Sequence, residues 1–160
     1  IAGRDADLDA VAAEIAEQHP RKRAIRLRTE GAFHTYLMVE AARRFREVLD
    51  SVNFSPPQVE VLATYTGAPH SPEPQAIRSR LFFQLFNPVL WYTCMQTAFA
   101  KGLSCVVEFG GGIGQGETPA DKRPNLESMI KKALRAEGRD AEYLGAINVA
   151  GIRSAGQRFV

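Results

Sequence analysis

The residue most suited to acid–base chemistry in this 160-residue sequence is the histidine of EGAFHTYLM, residues 30–38. An imidazole can take up a proton and return it near neutral pH, so His34 could act as general base for a nucleophile supplied elsewhere in the fold. His34 also stands between Phe33 and an apolar stretch, where a histidine with only a packing role is expected. Its immediate neighbours leave both interpretations open.

No nucleophile motif accompanies this histidine. The nearest approach to the G-x-S-x-G nucleophile elbow is GLSCV at residues 102–106, where Val106 replaces the second glycine and Ser104 enters a strand instead of leaving one. Cys94 and Cys105 lie in apolar surroundings, without a C-x-x-C pair or a histidine at ligand spacing. We therefore interpret them as buried thiols in a reducing compartment and predict no metal site.

A run of glycines at residues 110–116 follows a predicted strand, which invites comparison with dinucleotide-binding loops. That fingerprint needs glycine at i, i+2 and i+5, and the two possible starts, Gly110 and Gly112, both fail at the third position. The segment then continues into ETPADKRP, which has no helical pattern. We interpret it as a tight loop after a buried strand.

Charge and terminal composition restrict the possible partners. A net charge of +2 is too small to indicate nucleic acid or a membrane surface. The basic cluster RKRAIRLR, residues 21–28, is either a solvated face or a contact for an acidic protein or a phosphate-bearing ligand.

The opening segment IAGRDADLDA lacks the regions of a signal peptide, and no apolar run is long enough to cross a membrane. We expect a cytoplasmic protein whose chain, at Ile1, begins inside a larger polypeptide.

The elements that must position these residues follow from hydrophobic periodicity. Strands separated by helices predict one α/β domain with a mostly parallel sheet. Helices are predicted over 5–18, 36–49, 75–86, 88–101 and 125–137, and strands at the first three residues, around Ile25 and Leu27, over 59–67, from 103 into the glycine run, and over 143–151. Thr35 is the predicted N-cap of the second helix, so His34 directly precedes that helix.

Three motifs resemble, in order and at suitable separations, those of the malonyl-CoA:acyl carrier protein transacylases and the acyltransferase domains of polyketide synthases. GAFHTYLM resembles the family's G/H-A-F-H-S-x-L-M, with Thr35 in place of serine. VVEFGGG, containing Glu108, resembles xxEvGPG, with Gly111 in place of proline. A third segment matches IR..L..QL..PV.W......L...G at Ile77, Arg78, Leu81, Gln84, Leu85, Pro88, Val89, Trp91 and Gly102. The resemblance covers roughly residues 1–115.

This resemblance implies a fold with two parts. The family combines an α/β-hydrolase-like large subdomain with a ferredoxin-like small subdomain. By resemblance, residues 1–30 are the end of the small subdomain and residues 31–160 are the C-terminal part of the large one.

The resemblance also implies roles for three residues. His34 is the general base that activates a serine, and Gln84, fifty residues later, provides the carbonyl oxygen that orients the imidazole. Phe33 lines the acyl pocket, where a phenylalanine favours malonyl over methylmalonyl because the ring leaves less room for a methyl group.

The resemblance finally implies a reaction and its partners. The intact enzyme would move a malonyl-type group from its CoA thioester, through a serine ester, to the phosphopantetheine thiol of an acyl carrier protein, with no bound cofactor. The family's serine and malonyl-binding arginine precede the histidine, in sequence that this chain does not contain, so we expect this chain alone to be inactive and the missing N-terminal part to be its partner. An acyl hydrolase of the same fold and a non-catalytic carrier-docking module are the alternatives. The expected carrier contacts are Arg21, Arg23, Arg26 and Arg28.

Overall fold

The structure is a computed structural model that describes residues 1–27 and 29–160. The chain divides into two compact units, Ile1–Trp91 and Tyr92–Val160. The first contains α1 (Asp5–Gln18), α2 (Val39–Ser51), β1 (Leu62–Ala63), β2 (Ala68–Pro69) and α3 (Pro74–Gln84). The others are α4 (Trp91–Ala100), which begins at the boundary, β3 (Cys105–Phe109), α5 (Glu127–Ala136), β4 (Glu142–Ala146) and α6 (Val149–Gln157). Helices and strands are thus mixed along the chain, as predicted. The subdomain boundary predicted after residue 30 stays a prediction.

The first unit is built around the pairing of α2 with α3. Ala42 and Leu49 of α2 and Ile77 of α3 are buried. Arg78 of α3 completes this packing, because its Nε donates to the carbonyl of Leu49 at 2.9 Å and its Nη2 to that of Val52 at 3.1 Å. The last carbonyls of a helix have no partner within the helix, so Arg78 satisfies the C-terminal end of α2.

Three strand predictions in this unit fail wholly or in part. Residues 19–27 contain no strand, and Ile25 and Leu27 of the alternating pattern are 78% and 79% exposed. Alternation gives a strand only where a neighbouring strand and a core face are available. The strand predicted over 59–67 is reduced to the two residues of β1, which pair antiparallel with β2. The opening residues IAG are likewise not a strand.

The second unit contains a parallel pair, β3 with β4, in the register Cys105 to Glu142 through Phe109 to Ala146. Gly102 ends α4 with φ +80°, and the next N–H, of Leu103, bonds back to the carbonyl of Ala98. Gly102 is therefore a glycine C-cap of α4. Buried residues of α5 are Ile130, Ala133 and Leu134.

The final strand prediction is half wrong, because 143–151 contains the end of β4 and the start of α6. Asn148 caps α6 with its side-chain oxygen, which accepts from the N–H of Gly151 at 2.8 Å. A Cβ at Gly151 would lie 2.3 Å from the carbonyl oxygen of Gly145, so α6 approaches β4 as closely as only glycine allows.

Candidate active site

His34 occupies a turn with an unusual backbone conformation. Its φ is +66°, in the left-handed region that residues with a Cβ seldom adopt. The turn is held on both sides: the His34 N–H donates to the carbonyl of Leu85 at 3.0 Å, and the Thr35 hydroxyl donates to the carbonyl of Ala32 at 2.7 Å. Thr35 also accepts from the N–H of Leu37 at 3.3 Å, so it caps the short 3₁₀ turn Tyr36–Met38 that leads into α2.

The ring of His34 is held by two carbonyl oxygens. Its Nδ1 lies 2.9 Å from the carbonyl oxygen of Gln84 and 3.2 Å from that of Asn87. A carbonyl oxygen only accepts hydrogen bonds, so these contacts require the proton to be on Nδ1. In the neutral ring, Nε2 then carries the lone pair and is the nitrogen that can accept a proton. The ring is half-buried, not sealed in an apolar core.

Helix α3 supplies the first of these carbonyls because it ends at Gln84. The last four carbonyls of a helix lack partners within the helix. Those of Phe82 and Phe83 accept from the N–H groups of residues 85–87, whereas that of Gln84 accepts from His34. The sequence after the helix, Asn87-Pro88, then turns a second carbonyl towards the same ring nitrogen.

Two residues at this site were missed by the sequence analysis. One is Asn87, whose only local signal is the turn dipeptide that it forms with Pro88. The other is Thr64, whose hydroxyl donates to the side-chain Oε1 of Gln84 at 2.6 Å. Thr64 lies in a stretch interpreted as a plain strand, and a contact across twenty residues has no local sequence signal.

The other predicted site residues differ in their exposure and in their partners. Phe33 adjoins His34 and is 42% exposed. Arg21 and Arg23 are exposed. Arg26 forms ion pairs with Asp5 at 2.5 Å and Asp9 at 2.6 Å, which raise the pKa of its guanidinium. Arg28 lies outside the described residues.

Glu108, in the motif VVEFGGG, is a buried carboxylate in the second unit. Its two oxygens accept from the N–H groups of Asn125 at 2.7 Å and Leu126 at 2.9 Å, and from the hydroxyl of Tyr143. Burial by itself raises the pKa of Glu108, but these three hydrogen bonds outweigh burial and hold the pKa below its usual value. Burial first, and then the hydrogen bond to Glu108, raise the pKa of Tyr143. Glu108 thus ties β3 to the segment before α5 and to β4.

The remaining candidate groups are the two cysteines and any cluster of possible metal ligands. Cys94 is buried and Cys105 half-buried, and both are thiols. Within residues 1–27 and 29–160, no group of three or more His, Cys, Asp or Glu side chains could hold a metal ion. No helix in the described part of the chain is long and apolar enough to cross a membrane.

Curated proteins related to this chain include transacylases from two bacteria. The chain is 33% identical over 102 residues to the malonyl CoA-acyl carrier protein transacylase of Bacillus subtilis, covering 64% of this chain and 32% of that protein. It is 36% identical over 99 residues to the transacylase of Mycolicibacterium smegmatis, covering 60% of this chain and 34% of that protein. The resemblance to the transacylases is confirmed. No model of a protein family matches the chain.

Solved transacylases share the fold. The malonyl-CoA:acyl carrier protein transacylase of Xanthomonas oryzae pv. oryzae superposes with a TM-score of 0.76 at 25% identity, over 96% of this chain and 43% of that one. A malonyl-transacylase in complex with its type II polyketide synthase acyl-carrier protein superposes with a TM-score of 0.77 at 22% identity, over 98% of this chain and 45% of that one. The α/β fold class is therefore confirmed. The chain spans about a third of the length of the two curated transacylases it matches, 32% and 34%.

Proposed function

We propose that this chain is the C-terminal portion of a malonyl-type acyltransferase and contributes the general base, His34, to an active site whose serine lies in another segment. The observation that carries this proposal is the pair of carbonyls on Nδ1 of His34. They fix the tautomer in which Nε2 is unprotonated and can activate a hydroxyl. The relatives and solved structures support the substrate class, since those proteins are named as malonyl-CoA:acyl carrier protein transacylases.

The reaction proceeds in two acyl transfers. Nε2 of His34 accepts the serine proton as the serine oxygen attacks the thioester carbonyl of malonyl-CoA. The carbon–sulfur bond then breaks, and the imidazolium returns the proton to the CoA thiolate. In the second transfer, Nε2 takes the proton of the phosphopantetheine thiol, the sulfur attacks the serine ester, the carbon–oxygen bond breaks, and the proton returns to the serine oxygen.

Further residues of the chain contribute to substrate and partner binding in this proposal. Phe33, one residue before the base, borders the acyl group and disfavours an additional methyl group. Arg21 and Arg23 contact the acidic carrier protein together with Arg28. Arg26 contributes less to that contact, because Asp5 and Asp9 already neutralise its guanidinium. In subdomain terms, residues 1–30 correspond to the end of the small ferredoxin-like part and residues 31–160 to the large part.

The proposal is tested in the polypeptide that combines this chain with the serine-bearing segment. His34→Asn is the suitable variant because asparagine tolerates the left-handed conformation at this position. We expect malonyl loading from malonyl-CoA to fall by about 10²- to 10⁴-fold, the usual contribution of a general base. His19→Asn, in the exposed loop after α1, is the matched control and should load at the normal rate. Loading by His34→Asn within a few-fold of the unsubstituted enzyme would refute the proposal.

The same assay separates the alternatives. Release of free malonate in preference to malonyl-carrier protein would identify an acyl hydrolase. Carrier binding without any loading of the unsubstituted protein would identify a docking module.

A further inference from the structure

The two carbonyls that hold His34 lie on a segment that needs its own support. Gln84 is the last residue of α3, and Asn87 is three residues beyond the helix. Residues that leave a helix are fixed only by what they contact, because the regular hydrogen bonds of the helix stop there. A displacement of this segment away from His34 would lengthen its contacts to Nδ1.

Thr64 contacts this segment near both of its ends. Its hydroxyl donates to Oε1 of Gln84 at 2.6 Å, and its own carbonyl oxygen accepts from the N–H of Leu90 at 2.7 Å. One residue therefore holds the segment 84–90 at its first and last positions, with Asn87 between them. Both hydrogen bonds are short. They are also partly shielded from solvent, since Thr64 and Gln84 are half-buried.

Thr64 is itself fixed by the β1–β2 hairpin. It follows Ala63, the last residue of β1, whose carbonyl accepts from the N–H groups of Thr66 at 3.0 Å and Gly67 at 2.8 Å. The next residue, Tyr65, stacks its ring on that of Phe83 with centroids 5.5 Å apart. Phe83 directly precedes Gln84. Hairpin and helix end are thus joined by a hydrogen bond and an aromatic contact at adjacent positions.

We propose that Thr64 is a positioning residue for His34, which acts by holding the Gln84 carbonyl against Nδ1 and so maintains the tautomer with an unprotonated Nε2. The proposal rests on the function proposed for His34 but concerns a different residue. It assigns the Thr64 hydroxyl to the support of the base and not to contact with substrate. It also gives a role to the side chain of Gln84. Any residue could provide the backbone carbonyl that contacts His34, whereas the side-chain Oε1 is the acceptor for Thr64.

The test measures the ring nitrogens of His34 by ¹⁵N NMR in the 160-residue chain and needs no activity. Thr64→Val keeps the shape of the side chain and removes the hydroxyl, whereas Thr64→Ser keeps the hydroxyl. Thr66→Val is the matched control, because Thr66 is in the same hairpin and, among the described residues, its hydroxyl bonds to Ala63 and Ala68 of its own turn. Urea unfolding of each variant verifies that the signals come from folded protein.

We expect the ratio of the Nδ1–H to the Nε2–H tautomer to fall about fivefold in Thr64→Val, the factor that the net contribution of one hydrogen bond represents. Thr64→Ser and Thr66→Val should retain the ratio of the unsubstituted chain. An unchanged ratio in folded Thr64→Val, or an equal fall in Thr66→Val, would overturn the positioning role. Either result would leave the loading test of His34→Asn unaffected, so failure of this inference and failure of the proposed function are separable.

Discussion

His34 and Gln84 are 50 residues apart in the sequence, yet Nδ1 of one lies 2.9 Å from the carbonyl oxygen of the other. The contact joins a left-handed turn before α2 to the C-terminal end of α3. Backbone geometry determines both sides of this contact. The φ of +66° at His34 sets the turn, and the end of α3 leaves the Gln84 carbonyl without a partner inside the helix. The ring orientation is thus a property of the fold and not of the histidine alone.

The left-handed turn gives a stability prediction that reverses the usual order of glycine and alanine. A Cβ in this conformation costs roughly 1–2 kcal/mol, which exceeds the entropy that glycine gains in the unfolded chain. We therefore expect His34→Gly to be more stable than His34→Ala by about 0.5–1 kcal/mol in urea unfolding. At the exposed helical position Ala41, glycine should instead be the less stable residue by about 0.5–1 kcal/mol. Equal or lower stability of His34→Gly would show that the turn is not left-handed.

Glu108 should contribute to the free energy of unfolding in a way that is lost at acidic pH. Its pKa is lowered in the folded chain, so the contribution is fully present above the unfolded pKa, about 4.5, and is lost as the pH falls through the lower folded value. Glu108→Gln puts an amide NH₂ among three donors, so we expect a loss of about 1–3 kcal/mol at pH 7. The difference from the unsubstituted chain should shrink below about pH 4.5.

Unfolding in urea at pH 7 and pH 3.5 measures this difference. Tyr143→Phe is the control, since it removes one donor and keeps the carboxylate and both backbone donors. It should destabilise the chain less than Glu108→Gln does at pH 7. A penalty for Glu108→Gln that is the same at both pH values would contradict the predicted role of the ionised carboxylate.

Charge reversal separates the arginines of the basic cluster. Arg26 is paired with Asp5 and Asp9, whereas Arg21 and Arg23 are exposed. We expect Arg21→Glu and Arg23→Glu together to weaken carrier binding several-fold, and more at low salt, because exposed charges act over distances that salt screens. Arg44→Glu, an exposed site on α2, is the matched control. Binding that is insensitive to the double reversal at low salt would remove the carrier contact from this face.

Substitution of Phe33 should change the choice between malonyl and methylmalonyl substrates. A serine at this position leaves room for an additional methyl group, so the ratio of methylmalonyl to malonyl loading should rise about tenfold or more. Competition between the two CoA thioesters in the serine-containing enzyme measures the ratio. Tyr36→Ser, at a nearby site that is 70% exposed, should leave it unchanged. An equal rise in both variants would indicate a general loosening of the turn in place of a pocket formed by Phe33.

Helices were predicted better than strands, for a physical reason. The bounds of α1 were predicted in full, and those of α3 and α5 to within two residues, because helical hydrogen bonds are local and leave a periodic pattern. A strand depends on a neighbour elsewhere in the chain, so the alternation at Ile25 and Leu27 predicted a strand that is absent. The start of α6 was missed because Gly151 and the β-branched Ile147 and Val149 favour strand or turn by local propensity.

The residues of the candidate site also divide into those that local sequence indicates and those that depend on the fold. The motifs singled out His34 and Gln84, which the structure places in contact, and Thr35 was predicted as a cap from its position alone. Asn87 and Thr64 could not be predicted, because their contacts depend on where α3 ends and on how the β1–β2 hairpin meets it. The engagement of Arg26 by acidic residues of α1 was likewise invisible without the fold.

The tautomer of His34 in the unsubstituted chain tests the central claim most directly. Long-range ¹H–¹⁵N correlation at a pH where the ring is neutral distinguishes a protonated from an unprotonated ring nitrogen. We predict that Nδ1 carries the proton and that Nε2 has the shift of an unprotonated nitrogen, because two carbonyl oxygens face Nδ1. A ring protonated at Nε2 would contradict the account, since its remaining lone pair would point at those two carbonyls and the nitrogen needed as base would already hold a proton.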